Sequence, residues 1–363
     1  MRLVWLELVD FRSYRRLRWE PVSGVNLLVG RNAAGKTNVL ESIGYLATLR
    51  SFRKVADSVL VRTGSERAVI RGKVEGARTS ALIEVELPVA GRRRAQVNRT
   101  RLGRLADLLG KMRCVVFLPD DLDVVKRGPS YRRDLLDSAA VQMWPGAQRD
   151  QQDYERTLRQ RNILLKQMGW RADTVSLDVW DDRLAKAGGR VVARRKATIA
   201  ALESRAGAVY RSVSGDTTRL SIDYRPTWST GRAGTTEAWG DELRAALQAA
   251  RPADLERRVS TVGPHRDDVA LMLDDRDARV RASQGEQRSL ILAVRVASHR
   301  AIEATTGESP VLLLDDVFSE LDNDRSTALA QALPAAQTFI TAASVEDIPV
   351  EGRRWSLSGG ELH

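Results

Sequence analysis

The sequence predicts an α/β protein whose sheet-bearing head is interrupted by a helical insertion. Three observations lead to this fold class. Strand-like patterns surround one early helix at the N-terminal end, and from about residue 120 apolar residues recur at helical spacing. After residue 260, apolar runs of strand length alternate again with helical segments. We therefore expect a head built from residues 1–117 and 260–363, and a helical insertion at 118–259.

A glycine-rich loop joins a short apolar strand to the first helix of the head. Val25–Val29 has strand length, and apolar residues recur at helical spacing over 38–49. The residues between them match a phosphate-binding loop: Gly30, Arg31, Asn32, Ala33, Ala34, Gly35, Lys36 and Thr37. Backbone N–H groups of such a loop surround phosphates, and the helix N-terminus favours an anion. We expect Lys36 to reach the β- and γ-phosphates of ATP and Thr37 to ligate Mg²⁺.

Composition restricts the class of protein. The chain has 363 residues, a net charge of +11 and one cysteine, Cys114, which excludes an internal disulfide. We find no signal peptide and no apolar run of bilayer length, so a cytoplasmic protein without membrane contact is expected. The positive charge predicts a polyanionic partner. Nucleic acid is favoured over a membrane surface, since no basic amphipathic helix with an aromatic face stands out.

Other elements follow from periodicity. Strands are expected at 1–11, 67–74, 79–87, 113–118, 311–314 and 338–341, and helices at 151–168, 178–213, 284–304 and 325–332. A break at 169–176 turns the first two helices into an antiparallel hairpin, and 214–236 is expected to be loop and edge strand.

The segment 92–104 contains six arginines and no acid. Two interpretations remain open for it: a solvated β-turn with basic flanks, or a contact to the DNA backbone. The candidate DNA residues are Arg92, Arg93, Arg94, Arg99 and Arg101.

A second candidate site element lies where the strand at 311–314 ends in Asp315 and Asp316. A parallel strand buried on both faces is continuously apolar, and ligands of α/β sheets lie at the carboxyl ends of such strands. We expect Asp315 to hold Mg²⁺, as Walker B aspartates do, and Asp316 to orient or deprotonate the attacking water. Lys36 and these two aspartates are the candidate catalytic residues.

A signature-like segment opens the helix that precedes this strand. Ser283 is a good N-cap and Glu286 completes a capping box. The whole segment resembles the signature motif of ABC-type ATPases: Ser283, Gln284, Gly285, Glu286 and Gln287. Ser319 to Asp322 resembles the D-loop of the same superfamily. The resemblance implies an ABC-type head with a lobe II-like insertion, which dimerises around two ATP molecules so that each signature meets its partner's γ-phosphate.

Beyond these motifs, the chain resembles the RecF family nearly end to end. The matching segments are 8–14 (LVDFRSY), 117–137 and 263–268 (GPHRDD). The resemblance implies ATP-dependent binding to double-stranded DNA and to single-strand/duplex junctions. It also implies gap repair with RecO and RecR, RecA loading, a part in the SOS response, and slow ATP hydrolysis that acts as a switch. Within the first segment, it places Arg12 near the nucleotide.

The matching segments also contain side chains with more than one reading. For Arg132 and Arg133, three interpretations stay open: exposure to solvent, contact with DNA, or pairing within the chain. His265 is expected to be packed and hydrogen-bonded rather than catalytic.

The alternative function is an ABC transporter ATPase subunit. A transporter subunit requires a Q-loop glutamine and a switch histidine. This sequence has residues 119–120 in place of the Q-loop glutamine, and Thr341 to Ser344 in place of the switch histidine. A small-molecule kinase leaves the 283–287 segment unexplained. A DNA-binding protein with an inactive ATPase is disfavoured by the two aspartates.

Asp316 stands where ABC-type ATPases usually have a glutamate after the Walker B aspartate. Its side chain is one methylene shorter, which can cost about a hundredfold in the rate of hydrolysis.

Overall fold

The computed structural model describes residues 1–77, 80–168, 174–231, 233–346, 348–358 and 361–363. The strands in chain order are β1 (Arg2–Phe11), β2 (Tyr14–Trp19), β3 (Val25–Val29), β4 (Arg67–Glu75), β5 (Ser80–Pro88), β6 (Arg94–Val97), β7 (Thr100–Arg101), β8 (Cys114–Phe117), β9 (Leu220–Arg225), β10 (Asp268–Leu273), β11 (Arg276–Asp277), β12 (Val311–Asp315), β13 (Thr338–Ala342), β14 (Arg353–Ser358) and β15 (Glu361–Leu362). The helices are α1 (Lys36–Thr48), α2 (Leu122–Lys126), α3 (Pro129–Met143), α4 (Ala147–Met168), α5 (Thr174–Ser214), α6 (Thr236–Arg257), α7 (Ala278–Arg281), α8 (Gln284–Thr306) and α9 (Asn323–Ala332).

The chain divides into two compact units. The first contains Met1–Leu122, Arg205–Thr217 and Gln284–His363, and the second contains Asp123–Ser204 and Thr218–Ser283. The predicted domain division at 117/118 and 259/260 stays a prediction. The units follow the same order along the chain but differ from that division in their boundaries.

The first unit contains a mixed sheet of strand order β15-β14-β3-β13-β12-β8. The four pairings that join β14, β3, β13, β12 and β8 are parallel, and every residue of β12 and β13 is buried. This burial explains why residues 311–314 of β12 form a continuous apolar run. Helix α1 contacts β12 and β13, while α8 contacts β8. Because β3, β12 and β13 run in the same direction, their carboxyl ends lie along one edge of the sheet.

A second, antiparallel sheet completes the first unit, with strand order β2-β1-β4-β5-β6-β7. Burial alternates along β4 and β5, as expected for strands with one face on the core. Asn98 and Arg99 connect β6 to β7 with φ of +51° and +66°. Two successive residues at positive φ match the twist of a tight hairpin. The segment 92–104 therefore contains a tight turn, and the choice between solvated arginines and a contact to the DNA backbone stays a prediction.

The second unit combines α3, α4, residues 174–204 of α5 and α6 with the three-stranded sheet β11-β10-β9. Helices α4 and α5 are antiparallel, because Asp150 pairs with Arg190 while Arg161 pairs with Asp181. This arrangement confirms the predicted helical hairpin. Of the predicted break at 169–176, residues 169–173 lie outside the described residues and 174–176 belong to α5.

A fully buried ion cluster joins three helices of the second unit. Arg161 on α4 is 0% exposed and donates to Asp181 on α5 and to Asp254 on α6, both at 2.6 Å. Arg251 contributes a second guanidinium to Asp181 at 2.7 Å. Charges removed from water in this way are stabilising only when their partners are retained, so the cluster fixes how these helices pack.

Candidate functional site

The phosphate loop, residues 30–37, follows β3 and opens α1. Gly35 has φ +106°, a conformation that side-chain-bearing residues rarely adopt, and a Cβ there would lie 2.8 Å from Tyr14 Oη. A Cβ on Gly30 would lie 2.8 Å from the carbonyl oxygen of Leu357 in β14. The loop therefore needs its glycines for conformation at one end and for space at the other.

Lys36 lies across this loop. Its Nζ donates to the carbonyl oxygens of Gly30 at 2.5 Å and Arg31 at 3.1 Å, and the residue is 8% exposed. Burial lowers the pKa of the Lys36 ammonium, and the nearby carboxylates of Asp316 and Asp315 oppose that shift. The ammonium thus bonds the loop itself, and both candidate carboxylates favour its charge.

Asp315, at the end of β12, is the centre of a hydrogen-bond cluster. Its Oδ1 accepts from Thr37 Oγ1 at 2.8 Å and from Thr341 Oγ1 at 2.7 Å. Burial raises the pKa of the Asp315 carboxyl, while the bonds from Thr341 and Thr37 oppose this. The hydroxyl and the carboxylate expected to share a magnesium ion are therefore brought together from positions 278 residues apart.

Asp316 extends the same cluster through its backbone. Its N–H donates to Thr341 Oγ1 at 2.9 Å, and its φ is +50°. A non-glycine residue in this left-handed region is uncommon and is held by its surroundings. Thr341 thus fixes both aspartates, one through a side chain and the other through the main chain.

Arg12 occupies a defined position beside α1. Its guanidinium donates twice to Glu41, with both distances at 2.9 Å, and Glu41 is 0% exposed. Glu41 also accepts from Ser51 Oγ at 2.5 Å. The expected proximity of Arg12 to the nucleotide stays a prediction. In the structure, Arg12 is ion-paired with Glu41 of α1, the helix that follows the phosphate loop.

The signature-like segment begins α8. Ser283 and Gln284 are exposed, Gly285 and Glu286 are half-buried and Gln287 is buried. The serine at the start of the helix is therefore accessible to another molecule. The capping box expected from Ser283 and Glu286 stays a prediction.

The D-loop-like segment lies between β12 and α9. Ser319 Oγ donates to the carbonyl oxygen of Asp316 at 2.8 Å, and Asp322 caps α9 by accepting from the N–H of Arg325 at 2.8 Å. At the position expected for a Q-loop, residues Pro119–Asp121 form a 3-10 turn, and Asp121 is paired with Arg295 of α8.

The five candidate DNA arginines do not share one environment. Arg92, Arg99 and Arg101 are exposed. Arg94 lies 3.7 Å from Glu86, with 60% of its side chain exposed. Arg93 differs: its Nη1 donates to Asp57 at 3.1 Å, to Tyr45 Oη at 3.0 Å and to the carbonyl of Leu49 at 2.7 Å.

In the second unit, the 263–268 segment forms intramolecular contacts. Arg132 donates to Asp268 twice at 3.0 Å, and Arg133 donates to the Asp267 carbonyl at 2.6 Å. His265 Nδ1 lies 2.6 Å from Tyr154 Oη, and burial lowers the pKa of His265 to about 4. The interpretations of His265 as a packed histidine and of both arginines as intramolecular partners are confirmed.

Sequence reasoning missed three residues around the phosphate loop. Glu41 interrupts the apolar side of α1, and that charged residue in a buried stripe was the available signal. Thr341, which the sequence placed only at the switch position, bonds both aspartates. Tyr14, whose hydroxyl donates to the carbonyl of Gly35 at 3.1 Å, gave no signal of this contact beyond its place in the 8–14 segment.

Comparison with known families gives a consistent result. The family model for the RecF/RecN/SMC N terminal domain matches residues 2–348. The DNA replication and repair protein RecF of Frankia alni is 42% identical over 375 residues, covering 100% of this chain and 99% of that protein. RecF of Streptomyces avermitilis is 41% identical over 372 residues, again covering 100% and 99%.

Solved structures give the same relationship at the level of the fold. The recombination mediator protein RecF-ATPrS of the RecFOR pathway matches with a TM-score of 0.93 and 32% identity, covering 99% of this chain and 97% of that one. The SmcHead bound to the C-winged helix domain of ScpA matches with a TM-score of 0.57 at 15% identity, which bears on the fold alone. The predicted fold class, an ABC-type α/β head with a helical insertion, is confirmed.

Proposed function

Since the chain belongs to the RecF family of DNA replication and repair proteins, we propose that it is an ATP-switched DNA-binding protein of recombinational gap repair. The observation that carries this proposal is the 2.8 Å bond between Thr37 and Asp315, which joins the phosphate loop to the carboxylate strand. ATP binding pairs two protomers, the pair holds DNA, and slow hydrolysis releases it.

The chain's residues fit ATP and Mg²⁺. Lys36 binds the β- and γ-phosphates, and the loop's N–H groups surround the phosphate oxygens. Thr37 and Asp315, which lie 2.8 Å apart, would supply two oxygen ligands to Mg²⁺. Few protein ligands are what Mg²⁺ needs when substrate phosphates provide the rest. When bound, the ion neutralises charge that develops on the phosphates.

Hydrolysis in this proposal is slow. Asp316 orients or deprotonates the attacking water, but its short side chain is anchored to a backbone held by Thr341. The switch position thus carries a hydroxyl that is already bonded to Asp315, and a hydroxyl is no general base at neutral pH. The protein therefore acts as a weak, DNA-dependent ATPase, and its slow hydrolysis sets how long DNA stays bound.

The proposed contact of each signature segment with the partner protomer's nucleotide can be tested directly. Ser283→Arg should leave ATP binding by the protomer unchanged and weaken ATP-dependent dimerisation by about 100-fold, because a long side chain replaces a hydroxyl contact at the pairing surface. Sedimentation velocity with and without ATP measures the pairing, and fluorescent-nucleotide titration measures binding.

Ser23→Arg is the matched control, because Ser23 is exposed and precedes β3, at the end of that strand opposite the phosphate loop. It should pair nearly as the natural chain does. If the Ser283→Arg variant paired with ATP as the natural chain does, the signature segment would not contact the partner protomer's nucleotide.

Double-stranded DNA and single-strand/duplex junctions are the proposed substrates, with exposed arginines of the β6–β7 hairpin among the contacts. Each phosphate contact contributes about −0.9 to the log–log salt slope of DNA affinity. The double change Arg99→Ala with Arg101→Ala should therefore reduce the steepness of that slope by about 2. Fluorescence anisotropy at several salt concentrations measures it.

Arg67→Ala serves as the control, since Glu86 lies 3.5 Å from this arginine and compensates its charge. An unaltered slope in the hairpin variant would exclude the hairpin from the DNA interface.

RecR and RecO are the proposed protein partners, and assistance to RecA loading at gaps is the proposed outcome, with the cytoplasm as the site of action. No helix among the described residues has both the length and the apolar character of a bilayer span. A titration of gapped against fully duplex DNA, with and without ATP and with dimer state followed in parallel, tests the whole proposal. ATP-independent binding with no preference for gaps would contradict it.

A further inference from the structure

Arg325 lies across the first turn of the signature helix α8. Its Nε donates to Ser289 Oγ on that helix at 3.2 Å, and its Nη1 pairs with Asp322 of the D-loop-like segment. One third of the side chain (33%) is exposed. One guanidinium therefore connects the two segments that an ABC-type dimer presents to the partner's nucleotide.

Gly285 makes this position possible. A Cβ at residue 285 would lie 2.6 Å from Arg325 Nη2 and 3.0 Å from its Cζ, closer than real Cβ contacts. Gly285 needs no left-handed backbone, and the missing side chain leaves space for the guanidinium. A side chain at residue 285 would displace the flexible end of Arg325 from this position.

The electrostatics of this arrangement favour an additional anion. The N-terminus of a helix carries partial positive charge, so a cation there is disfavoured and an anion is favoured. Asp322 compensates Arg325 in part, but it is itself exposed and already accepts from the N–H of residue 325. That backbone bond, followed by the guanidinium, lowers the pKa of Asp322. Arg325 Nη2 thus lies beside Gly285, in the first turn of α8, where an anion is favoured.

We propose that Arg325 is a binding residue for the partner protomer's triphosphate, acting with Ser283 and the N-terminus of α8. The inference rests on the proposed ATP-dependent dimer. On pairing, a terminal phosphate oxygen takes Arg325 donors that Asp322 otherwise holds, because an arginine fork matches phosphate geometry bidentately. The D-loop carboxylate is then released in the same step that binds the nucleotide.

Arg325→Ala tests this role. It should leave ATP binding by the isolated protomer unchanged and weaken ATP-dependent dimerisation by about 10-fold to 100-fold, the usual size of a charge-assisted contact. Arg325→Lys keeps the charge but loses the fork, and should restore pairing only in part. Arg300→Ala is the matched control: this arginine also bridges α8 to α9, through the carbonyl of Ala332 at 3.2 Å, but at the far end.

Asp322→Asn separates phosphate binding from a merely structural brace. Asparagine retains the N-cap of α9 and removes the competing carboxylate, so pairing should stay equal to or become tighter than that of the natural chain. Equal weakening by Asp322→Asn and Arg325→Ala would show that the arginine only braces the D-loop, and would overturn the inference. If Arg325→Ala dimerised with ATP as tightly as the natural chain, the inference would also be overturned, but the proposed function would stand. Failure of the natural chain to pair with ATP would instead refute the proposed function.

Discussion

Replacing Lys36 by alanine is expected to abolish ATP binding and, with it, ATP-dependent pairing and DNA retention. Lys36 is the only lysine in the phosphate loop, and its ammonium bonds the carbonyl oxygens of Gly30 and Arg31. Losing its charge-assisted contacts to the β- and γ-phosphates should weaken ATP binding by at least about 100-fold. Fluorescent-nucleotide titration measures the binding, and sedimentation velocity measures the pairing.

Lys111→Ala provides the comparison, since Lys111 is an exposed lysine of the same compact unit. It should bind ATP as the natural chain does. An ATP-dependent dimer that persists in Lys36→Ala would contradict the proposed switch, because pairing would then not depend on the triphosphate held by this loop.

The largest expected effect on stability comes from Arg161→Met. The change leaves the carboxylates of Asp181 and Asp254 in a buried site without their shared guanidinium. Breaking a buried ion pair by removing one partner costs about 3–5 kcal/mol. Urea unfolding followed by circular dichroism measures the change, and hydrogen exchange in α4 and α6 locates it.

An arginine on the same helix supplies the control. Arg156 lies 3.8 Å from Asp153, and 67% of its side chain is exposed, so Arg156→Ala should cost less than about 1 kcal/mol. Similar small losses in both variants would show that the buried cluster contributes little to the packing of these helices.

Local signals explain why the phosphate-loop half of the site could be predicted. An apolar strand, two glycines and a Lys-Thr pair opening a helix define one short stretch, and the structure has β3, the loop and α1 in that order. The strand that ends in Asp315 carried an equally local signal, since its burial on both faces leaves a continuous apolar run.

Contacts between distant residues explain what the sequence could not reveal. Arg12 and Glu41 lie 29 residues apart, and neither position indicates the other. Arg92, Arg93 and Arg94 look alike in sequence, yet only Arg93 meets Asp57, 36 positions away. Strand β14 was missed because four of its six residues are exposed and one is half-buried, which leaves too little apolar periodicity to read.

The position of β3 has a consequence for biosynthesis. Its two neighbours in the sheet, β13 and β14, both come from beyond residue 337, whereas β3 itself ends at residue 29. During translation the ribosome therefore releases the glycine-rich turn long before the strands that flank its supporting strand exist. Contacts of such sequence separation are slow to form, so the nascent chain must wait, with its edges unpaired, until nearly all of it has emerged.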